Sequence, residues 1–251
     1  MNIYESEKLL GEYLLFHYGS SQEVLPSALL IEDALGYPQR CVSECLDVRA
    51  LPAQARALDL GCAVGRSSFE LARWCTSVIG IDFSQRFIEA AERIRRDGAL
   101  DYLRTDEGEL RTPLIAQLPA NTDPARVRFE QGDAMDLRGD LGTFDVVLLA
   151  NLIDRLSNPR RCLETLPALI NPGGQLIITS PYTWLEEFTP RENWLGGFER
   201  DGTRVATLDG LRAALEPSFH LEEVQPLPFL IREHARKFQL SIAEASTWRK
   251  R

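Results

Sequence analysis

Leu58-Asp59-Leu60-Gly61-Cys62-Ala63-Val64-Gly65 joins a short apolar run to an amphipathic one, and its reading decides the fold. Taken as a strand end turning into a helix, it puts Gly61 and Gly65 where the backbone must turn tightly and approach a ligand. Asp82, 23 residues after Asp59, closes the next apolar run, Val78-Ile79-Gly80-Ile81. An acid at that place, with Phe83 beside it, is positioned to accept hydrogen bonds from both hydroxyls of a ribose. The loop is not a dinucleotide fingerprint, because Gly-x-Gly-x-x-Gly is absent and Asp59 would repel a pyrophosphate. The ligand is therefore expected to be a nucleoside carrying positive charge, met by Asp59 directly or through water. Gln131-Gly132-Asp133-Ala134, after a third apolar run, adds a carboxylate for an adenine amino group, with a backbone N–H beside it.

Outward from this stretch, short apolar runs alternate with amphipathic segments from Arg56 onward, the pattern of βαβ units around a parallel sheet. Five strands are expected, at 57–60, 78–81, 127–130, 144–149 and 175–179, the last entered through Pro172-Gly173-Gly174. Helices are expected over 67–75, 84–96 and 159–170. The stretch 99–125 is longer than a connection needs, and the residues flanking Asp106-Glu107-Gly108 predict a small hairpin there. A second hairpin signal, around Asp201-Gly202, follows Thr189-Pro190-Arg191-Glu192, which reads as a capping box with proline at the first helical position. Phe219 to Val224 and the alternating Phe238, Leu240 and Ile242 toward Trp248 read as a closing antiparallel pair around a polar bend. If the first of the pair runs parallel to the earlier strands, residues 226–237 come near any active site, because such sheets bind ligands beyond their carboxyl ends.

Residues 1–52 read as a helical cap. Asn2 starts a helix carrying Leu9, Leu10, Tyr13, Leu14 and His17 that stops at Gly19; Leu29, Leu30 and Leu35 end at Gly36; and Pro38 restarts a helix toward Pro52. The expected architecture is a single α/β domain over 1–251, with a core at 53–251 and insertions near 99–125 and 186–206. Its sheet is seven-stranded and mostly parallel, with helices on both faces and an antiparallel last strand.

A chain of 251 residues, 44% hydrophobic and 26% charged, can bury a core without disulfide or metal staples, and disorder or coiled coil is a poor reading of the whole. Its net charge of −9, from 28 Lys+Arg against 37 Asp+Glu, disfavours nucleic acid and anionic lipid as partners. The five cysteines include no Cys-x-x-Cys pair, and the N-terminus lacks a signal-peptide pattern, so reduced thiols and a cytoplasmic location are expected. No apolar run approaches the roughly 18 residues needed to cross a bilayer. His17, His220 and His234 are too scattered in sequence for a metal site, and no metal is expected.

Residues 56–182 resemble the class I S-adenosylmethionine-dependent methyltransferases, with Pro172-Gly173-Gly174 as a further mark. The resemblance implies a Rossmann-like fold, S-adenosylmethionine as cofactor and S-adenosylhomocysteine as its product. Ala63 departs from the glycine that most of the superfamily carries there. A narrower resemblance runs over nearly the whole chain: Asn2-Ile3-Tyr4-Glu5, the stretch 12–19, the loop 59–68 and the stretch 228–237 look like the mercaptohistidine N-methyltransferases of ovothiol biosynthesis. That family methylates a ring nitrogen of 5-thiohistidine (4-mercaptohistidine), which implies a small thiolated histidine as substrate. Many relatives carry the domain fused behind an iron-dependent sulfoxide synthase, which implies a functional partnership with a separate synthase here.

Methyl transfer to an imidazole needs a ring nitrogen freed of its proton. Asn151 and Asp154 follow strand four, where the superfamily places groups facing the donor. Asp154 is the first candidate base or ring-orienting acceptor; the alternative is that it caps a helix or pairs with Arg155. His234 and His17 are the other candidate bases, although His17 equally fits a packed helix face. Arg232, Arg236 and Lys237 are the cations available for a substrate carboxylate, unless they form a solvated turn. Tyr182 and Trp184 can stack on an imidazole, or Trp184 can simply pack, and Glu187 can meet an ammonium. Tyr18, and less so Tyr13, can lid the methionine end of the cofactor, while Cys62 reads as a small packed residue. The competing functions are methylation of another small metabolite and non-catalytic cofactor binding by a regulatory protein.

Overall fold

The computed structural model describes residues 3–26 and 31–251. The first long helix, α1 (Glu7–Tyr18), begins at Ser6, whose hydroxyl accepts from the Leu9 N–H at 3.2 Å, and ends at Gly19. Asn2, Leu29 and Leu30, read above as a cap and apolar positions, lie outside the described residues. Two further helices, α2 (Ser21–Val24) and α3 (Tyr37–Ser43), complete the cap. The helix expected to reach Pro52 stops at Ser43. Asp47 instead turns its carboxylate onto the Arg49 N–H, the local competition with helix that short polar side chains offer, and starts a 3-10 turn at Val48–Ala50.

The core then runs β1 (Arg56–Leu60), α4 (Arg66–Leu71), β2 (Ser77–Asp82), α5 (Gln85–Asp97), the hairpin β3 (Ala99–Glu107) and β4 (Leu110–Gln117), β5 (Val127–Gln131), β6 (Phe144–Ala150), α6 (Pro159–Leu169) and β7 (Ile170–Ser180). A small hairpin, β8 (Phe198–Arg200) and β9 (Thr203–Val205), leads to α7 (Thr207–Leu215) and the closing pair β10 (Phe219–His234) and β11 (Lys237–Lys250). The seven-stranded sheet has the order β10-β11-β7-β6-β1-β2-β5, with β11 antiparallel to both neighbours and the other strands parallel. Apolar side chains of α1, α3, α4 and α5 cover one face, and those of α6 and α7 cover the other. Burial on both faces is why Val146-Val147-Leu148-Leu149 reads as an unbroken apolar run. Among the described residues no helix is long and apolar enough to cross a membrane.

Two local expectations are corrected and one helix is added. Thr189 does not start a capping box: its hydroxyl donates to the Leu156 carbonyl at 2.7 Å, and only a 3-10 turn, Arg191–Asn193, follows. Helix α7 was not foreseen, although Leu208, Leu211 and Leu215 recur at helical spacing and the Asp209 carboxylate accepts from the Ala206 N–H. The expected polar bend at 226–237 is instead continuous strand, turning only at Ala235-Arg236. Pro226 and Pro228 are tolerated because β10 is the sheet edge and their missing N–H groups cost it no second ladder.

Continuous pairing gives β10 and β11 a reach beyond the sheet. β11 pairs with β7 only from Glu244 to Arg249, whereas its pairing with β10 continues to His234 and Lys237. An arm therefore projects past the carboxyl ends of the strands, where its tip is tied down. Arg232 donates to the Glu23 and Val24 carbonyls (3.1 and 3.2 Å) and to Asp106 Oδ1 (3.2 Å). Arg104 reaches the same Glu23 carbonyl and the same carboxylate oxygen, both at 2.8 Å. The end of α2, the β3–β4 hairpin and the arm thus close together beside the ligand face.

Candidate functional site

The loop after β1 is shaped by its neighbours as much as by any ligand. Gly61 and Gly65 have φ of +73° and +87°. A Cβ on Gly65 would lie 2.5 Å from the Phe129 ring of β5, so glycine is required there by packing as well as by backbone conformation. Ala63, at φ +47°, holds the left-handed conformation that glycine would take without strain. Its N–H donates to Asp82 Oδ2 at 2.9 Å, and the Ser84 N–H donates to Asp82 Oδ1 at 2.8 Å. The Asp82 carboxylate is thereby fixed at the end of β2 with lone pairs to spare, and burial pushes its pKa up to about 6.

Asp59 lies fully buried under the same loop. Its Oδ2 accepts from the hydroxyls of Ser67 and Ser68 at 2.8 and 2.6 Å, while Oδ1 has no partner. Burial raises this carboxyl to about 6 against the two hydroxyl bonds. A buried carboxylate oxygen without a donor suits a cationic or N–H-bearing ligand and would repel a phosphate. Asp133 is half-buried after β5, its Oδ1 accepting from the Met135 N–H at 2.8 Å, with Ala134 packed beside it. Phe83 stands 63% exposed next to Asp82, open to stacking. Cys62 is a buried thiol that burial keeps protonated.

Across the cleft, Asn151 follows β6 at φ +52°, its N–H on the Thr179 carbonyl at 2.7 Å. The Tyr37 hydroxyl of α3 donates to Asn151 Oδ1 and accepts from Thr179 Oγ1, both at 2.7 Å. Sequence reading missed Tyr37, because a contact 114 residues away leaves no local pattern. Asp154 is buried in a 3-10 turn, its Oδ2 accepting from Arg155 at 3.1 Å and from the Thr183 N–H at 3.0 Å, and its Oδ1 unpartnered. The pairing with Arg155 leaves Oδ1 without a partner within hydrogen-bond distance, and burial raises this carboxyl despite the guanidinium and the neighbouring Ser180 hydroxyl. Tyr4 and Tyr13 pack edge to face with ring centroids 6.3 Å apart, and Asp82, Asp154 and Arg155 all act electrostatically on both phenols. Tyr18 donates its hydroxyl to the Val64 carbonyl at 2.7 Å, so α1 is latched onto the loop.

Of the residues expected to hold an acceptor, the structure brings some together and withdraws others. Tyr182, at the carboxyl end of β7, donates to Glu244 Oε1 of β11 at 2.8 Å and lies near enough to Asp154 to feel its charge. Glu244 was not singled out from the sequence, whereas Glu187, expected to meet an ammonium, is exposed on the following loop. Trp184 is withdrawn: it is 8% exposed, stacked on Trp194, with Nε1 donating to Thr207 at 2.9 Å. Arg232 is spent on the knot that holds the arm. Lys237 is exposed at the arm's tip in an ion pair with Glu233 at 2.7 Å, and Arg236 is exposed beside it. His234 sits at the same turn, its Nδ1 accepting from the Arg236 N–H at 3.2 Å, with no described contact to Asp82 or Asp154.

Comparison with known proteins agrees with this fold. A family model described as a methyltransferase domain matches residues 52–199. A demethylmenaquinone methyltransferase of Clavibacter sepedonicus is 29% identical over 123 residues, 49% of this chain and 40% of its own length. The chain thus spans well under two thirds of that relative. Among solved structures, the N-methyltransferase NodS of Bradyrhizobium japonicum, in complex with S-adenosylhomocysteine, aligns with a TM-score of 0.54 at 14% identity, covering 96% of this chain and 98% of that one. The cyclase SpnF aligns with a TM-score of 0.55 at 19% identity, covering 98% and 96%. At these identities the likeness is one of fold, and a fold alone does not choose the chemistry.

Proposed function

This chain belongs to the methyltransferase-domain family, and from that premise we propose that it transfers a methyl group from S-adenosylmethionine to an imidazole ring nitrogen of a small thiolated histidine. The observation that carries the donor is the buried, unpartnered Oδ1 of Asp59 beneath the glycine loop, an acceptor that favours a cationic nucleoside. The remaining contacts fit the same ligand: Asp82 for the ribose hydroxyls, Asp133 for the adenine amino group, and Phe83 for its ring. Bound there, S-adenosylmethionine supplies an electrophilic methyl on a sulfonium. The chain's own task is to hold an acceptor nitrogen in line and exclude water, which is where most of the acceleration of such a displacement arises.

The acceptor side rests on Asn151, Asp154, Tyr182 and Glu244. Asp154 Oδ1 takes the ring N–H and, as the lone pair of the other nitrogen is used, its proton; a carboxyl raised by burial is suited to that exchange. Glu244, through Tyr182, offers an anion for the substrate ammonium. A hydroxyl acceptor would give up its proton to the same carboxylate, so the choice of nitrogen rests on the likeness to the mercaptohistidine N-methyltransferases. A separate sulfoxide synthase would supply the thiolated substrate.

Mass spectrometry of the chain incubated with S-adenosylmethionine and either 5-thiohistidine, histidine or a catechol tests the reading. Gain of one CH₂ unit on 5-thiohistidine alone supports it. Gain on the catechol alone moves the reaction to oxygen, and no gain on any acceptor, with cofactor bound, removes the substrate assignment.

A further inference from the structure

The three cations expected from the sequence to meet an anionic group of the acceptor are engaged elsewhere. Arg232 is held in the knot, Lys237 pairs with Glu233, and Arg236 stands exposed at the arm's tip. The charged groups left around Tyr182 are the carboxylates of Asp154 and Glu244. Such a wall repels an acceptor carrying negative charge unless a cation faces it. Among the described residues, the cation whose charge reaches Asp154, Tyr4 and Tyr13 is Arg155.

Its side chain is fixed from two directions and still reaches solvent, at 29% exposure. Arg155 closes the 3-10 turn after β6, and its Nη1 donates to the Asp154 carbonyl at 2.9 Å, to Asp154 Oδ2 at 3.1 Å and to the Thr183 carbonyl at 3.0 Å. The guanidinium carbon lies 4.9 Å from the centroid of the Phe188 ring, which sets the plane of the group. All of these hydrogen bonds fall on one nitrogen, and a single one of them reaches a carboxylate, short of the two-pronged pairing a guanidinium can make. The fork of Nε and Nη2 is left to the Tyr4 phenol and to a ligand. Tyr4 belongs to the cofactor side: its carbonyl accepts from the Ser84 hydroxyl at 3.2 Å, and the Ser84 N–H is on Asp82. The guanidinium thus stands between the cofactor end of β2 and the unpartnered Oδ1 of Asp154.

We propose that Arg155 is an acceptor-binding residue that pairs with an anion on the acceptor, the ring thiolate of the thiolated histidine. The inference rests on the acceptor proposed above. A ring N–H on Asp154 Oδ1 and the guanidinium on Oδ2 share one carboxylate, so an anion bound to Arg155 lies against the ring itself. The sulfur, on a ring carbon bonded to nitrogen, meets that condition. The α-carboxylate does not, because it sits at the far end of the side chain, beside an ammonium directed to Glu244. A guanidinium is weakly hydrated and suits a large, polarisable anion. The pairing has a chemical purpose as well: a thiolate is itself a strong nucleophile, and holding it to Arg155 keeps the sulfur off the line of methyl transfer while the nitrogen is on it.

Calorimetric titration of the full chain, saturated with S-adenosylhomocysteine, tests this with 5-thiohistidine, its S-methyl derivative and its decarboxylated derivative. Arg155→Gln keeps a donor for Asp154 and Thr183 but removes the charge. It is expected to weaken 5-thiohistidine and the decarboxylated derivative about tenfold or more, and to change the S-methyl derivative, which has no thiolate, by less than about twofold. Arg155→Lys, a charge without the fork, is expected to recover part of the loss. The ratio between ligands is the quantity read, since a disturbed Asp154 acts on all three alike, and retained S-adenosylhomocysteine affinity shows that both variants fold. Equal loss on all three ligands marks Arg155 as a scaffold residue and overturns the assignment, as does a loss that follows the carboxylate instead of the sulfur. Wild type that holds S-adenosylhomocysteine and binds none of the three removes the thiolated acceptor, and the role of Arg155 with it.

Discussion

Replacing Asp59 by Asn is expected to make the ligand-free protein more stable at neutral pH while loosening its hold on the cofactor. The carboxyl is fully buried, with a pKa raised to about 6 in the folded chain. In the unfolded chain it titrates near its ordinary value of about 4. The folded pKa lies above the unfolded one, so ionisation opposes folding. The penalty is absent below about pH 4, grows as pH rises, and is complete above about pH 6. Its size at pH 7.5 is about 3 kcal/mol, and at pH 5 about half of that. Asn stands in for the protonated acid, keeping an oxygen for the Ser67 and Ser68 hydroxyls. Urea unfolding of wild type and Asp59→Asn at the two pH values reads the effect together with the smaller relief of Asp82, whose charge is coupled to Asp59 and which acts in the same direction. The variant should gain more at pH 7.5 than at pH 5. A gain that is the same at both would refute the raised pKa. In wild type, S-adenosylhomocysteine affinity should fall as pH drops through about 6, and in the variant that dependence should weaken; a variant with undiminished affinity would take Asp59 out of the site.

Three further substitutions follow from the same geometry. Asp82→Asn loses one of the two backbone bonds at the carboxylate as well as its grip on ribose, and is expected to weaken S-adenosylhomocysteine roughly tenfold or more by calorimetry; unchanged affinity would show that ribose lies elsewhere. Arg232→Ala unties the arm from Glu23, Val24 and Asp106 and is expected to cost about 2–4 kcal/mol in urea unfolding. Full stability with a raised KM for the acceptor would return Arg232 to substrate binding. Ala63→Gly relieves a left-handed alanine worth about 1 kcal/mol but adds a similar entropy to the unfolded chain, so stability should move by no more than about 0.5 kcal/mol. A larger loss would mean that the methyl group packs better than its backbone strain costs.

The sheet was legible because its strands are buried on both faces and separated by capped helices, so β1, β2, β5, β6 and β7 fall within a few residues of their expected places. The glycine loop, Asp82 and Asp133 were legible for a related reason: each sits at the carboxyl end of one strand, and a short window holds all the information that places it. Residues whose roles depend on distant partners were not. Nothing near Arg232 says that its charge is used on a carbonyl 209 residues away, and Trp184 gives no sign that Thr207 will take its indole N–H. Pro226 and Pro228 argued for a bend, and only the edge position of β10, a property of the whole sheet, makes them acceptable in a strand.

The same distinction divides the site into two halves with different physical origins. The cofactor half is built from consecutive strand ends of the sheet, so any chain with this topology inherits its geometry. The proposed acceptor half is assembled across the chain: Tyr37 from the cap fixes Asn151 after β6, Glu244 of β11 holds Tyr182 after β7, and the Arg104–Asp106–Arg232 knot fixes the tip of the arm. Each joint buries hydrogen bonds that exist only when two distant segments have met, so the acceptor half is specified by tertiary structure and can diverge without disturbing the sheet. Cofactor affinity should therefore survive changes at Tyr182 or Glu244, whereas the choice of acceptor should not. A Glu244→Gln chain that kept S-adenosylhomocysteine affinity and lost turnover of 5-thiohistidine would place the substrate against β11, and one that kept both would move it away from that wall.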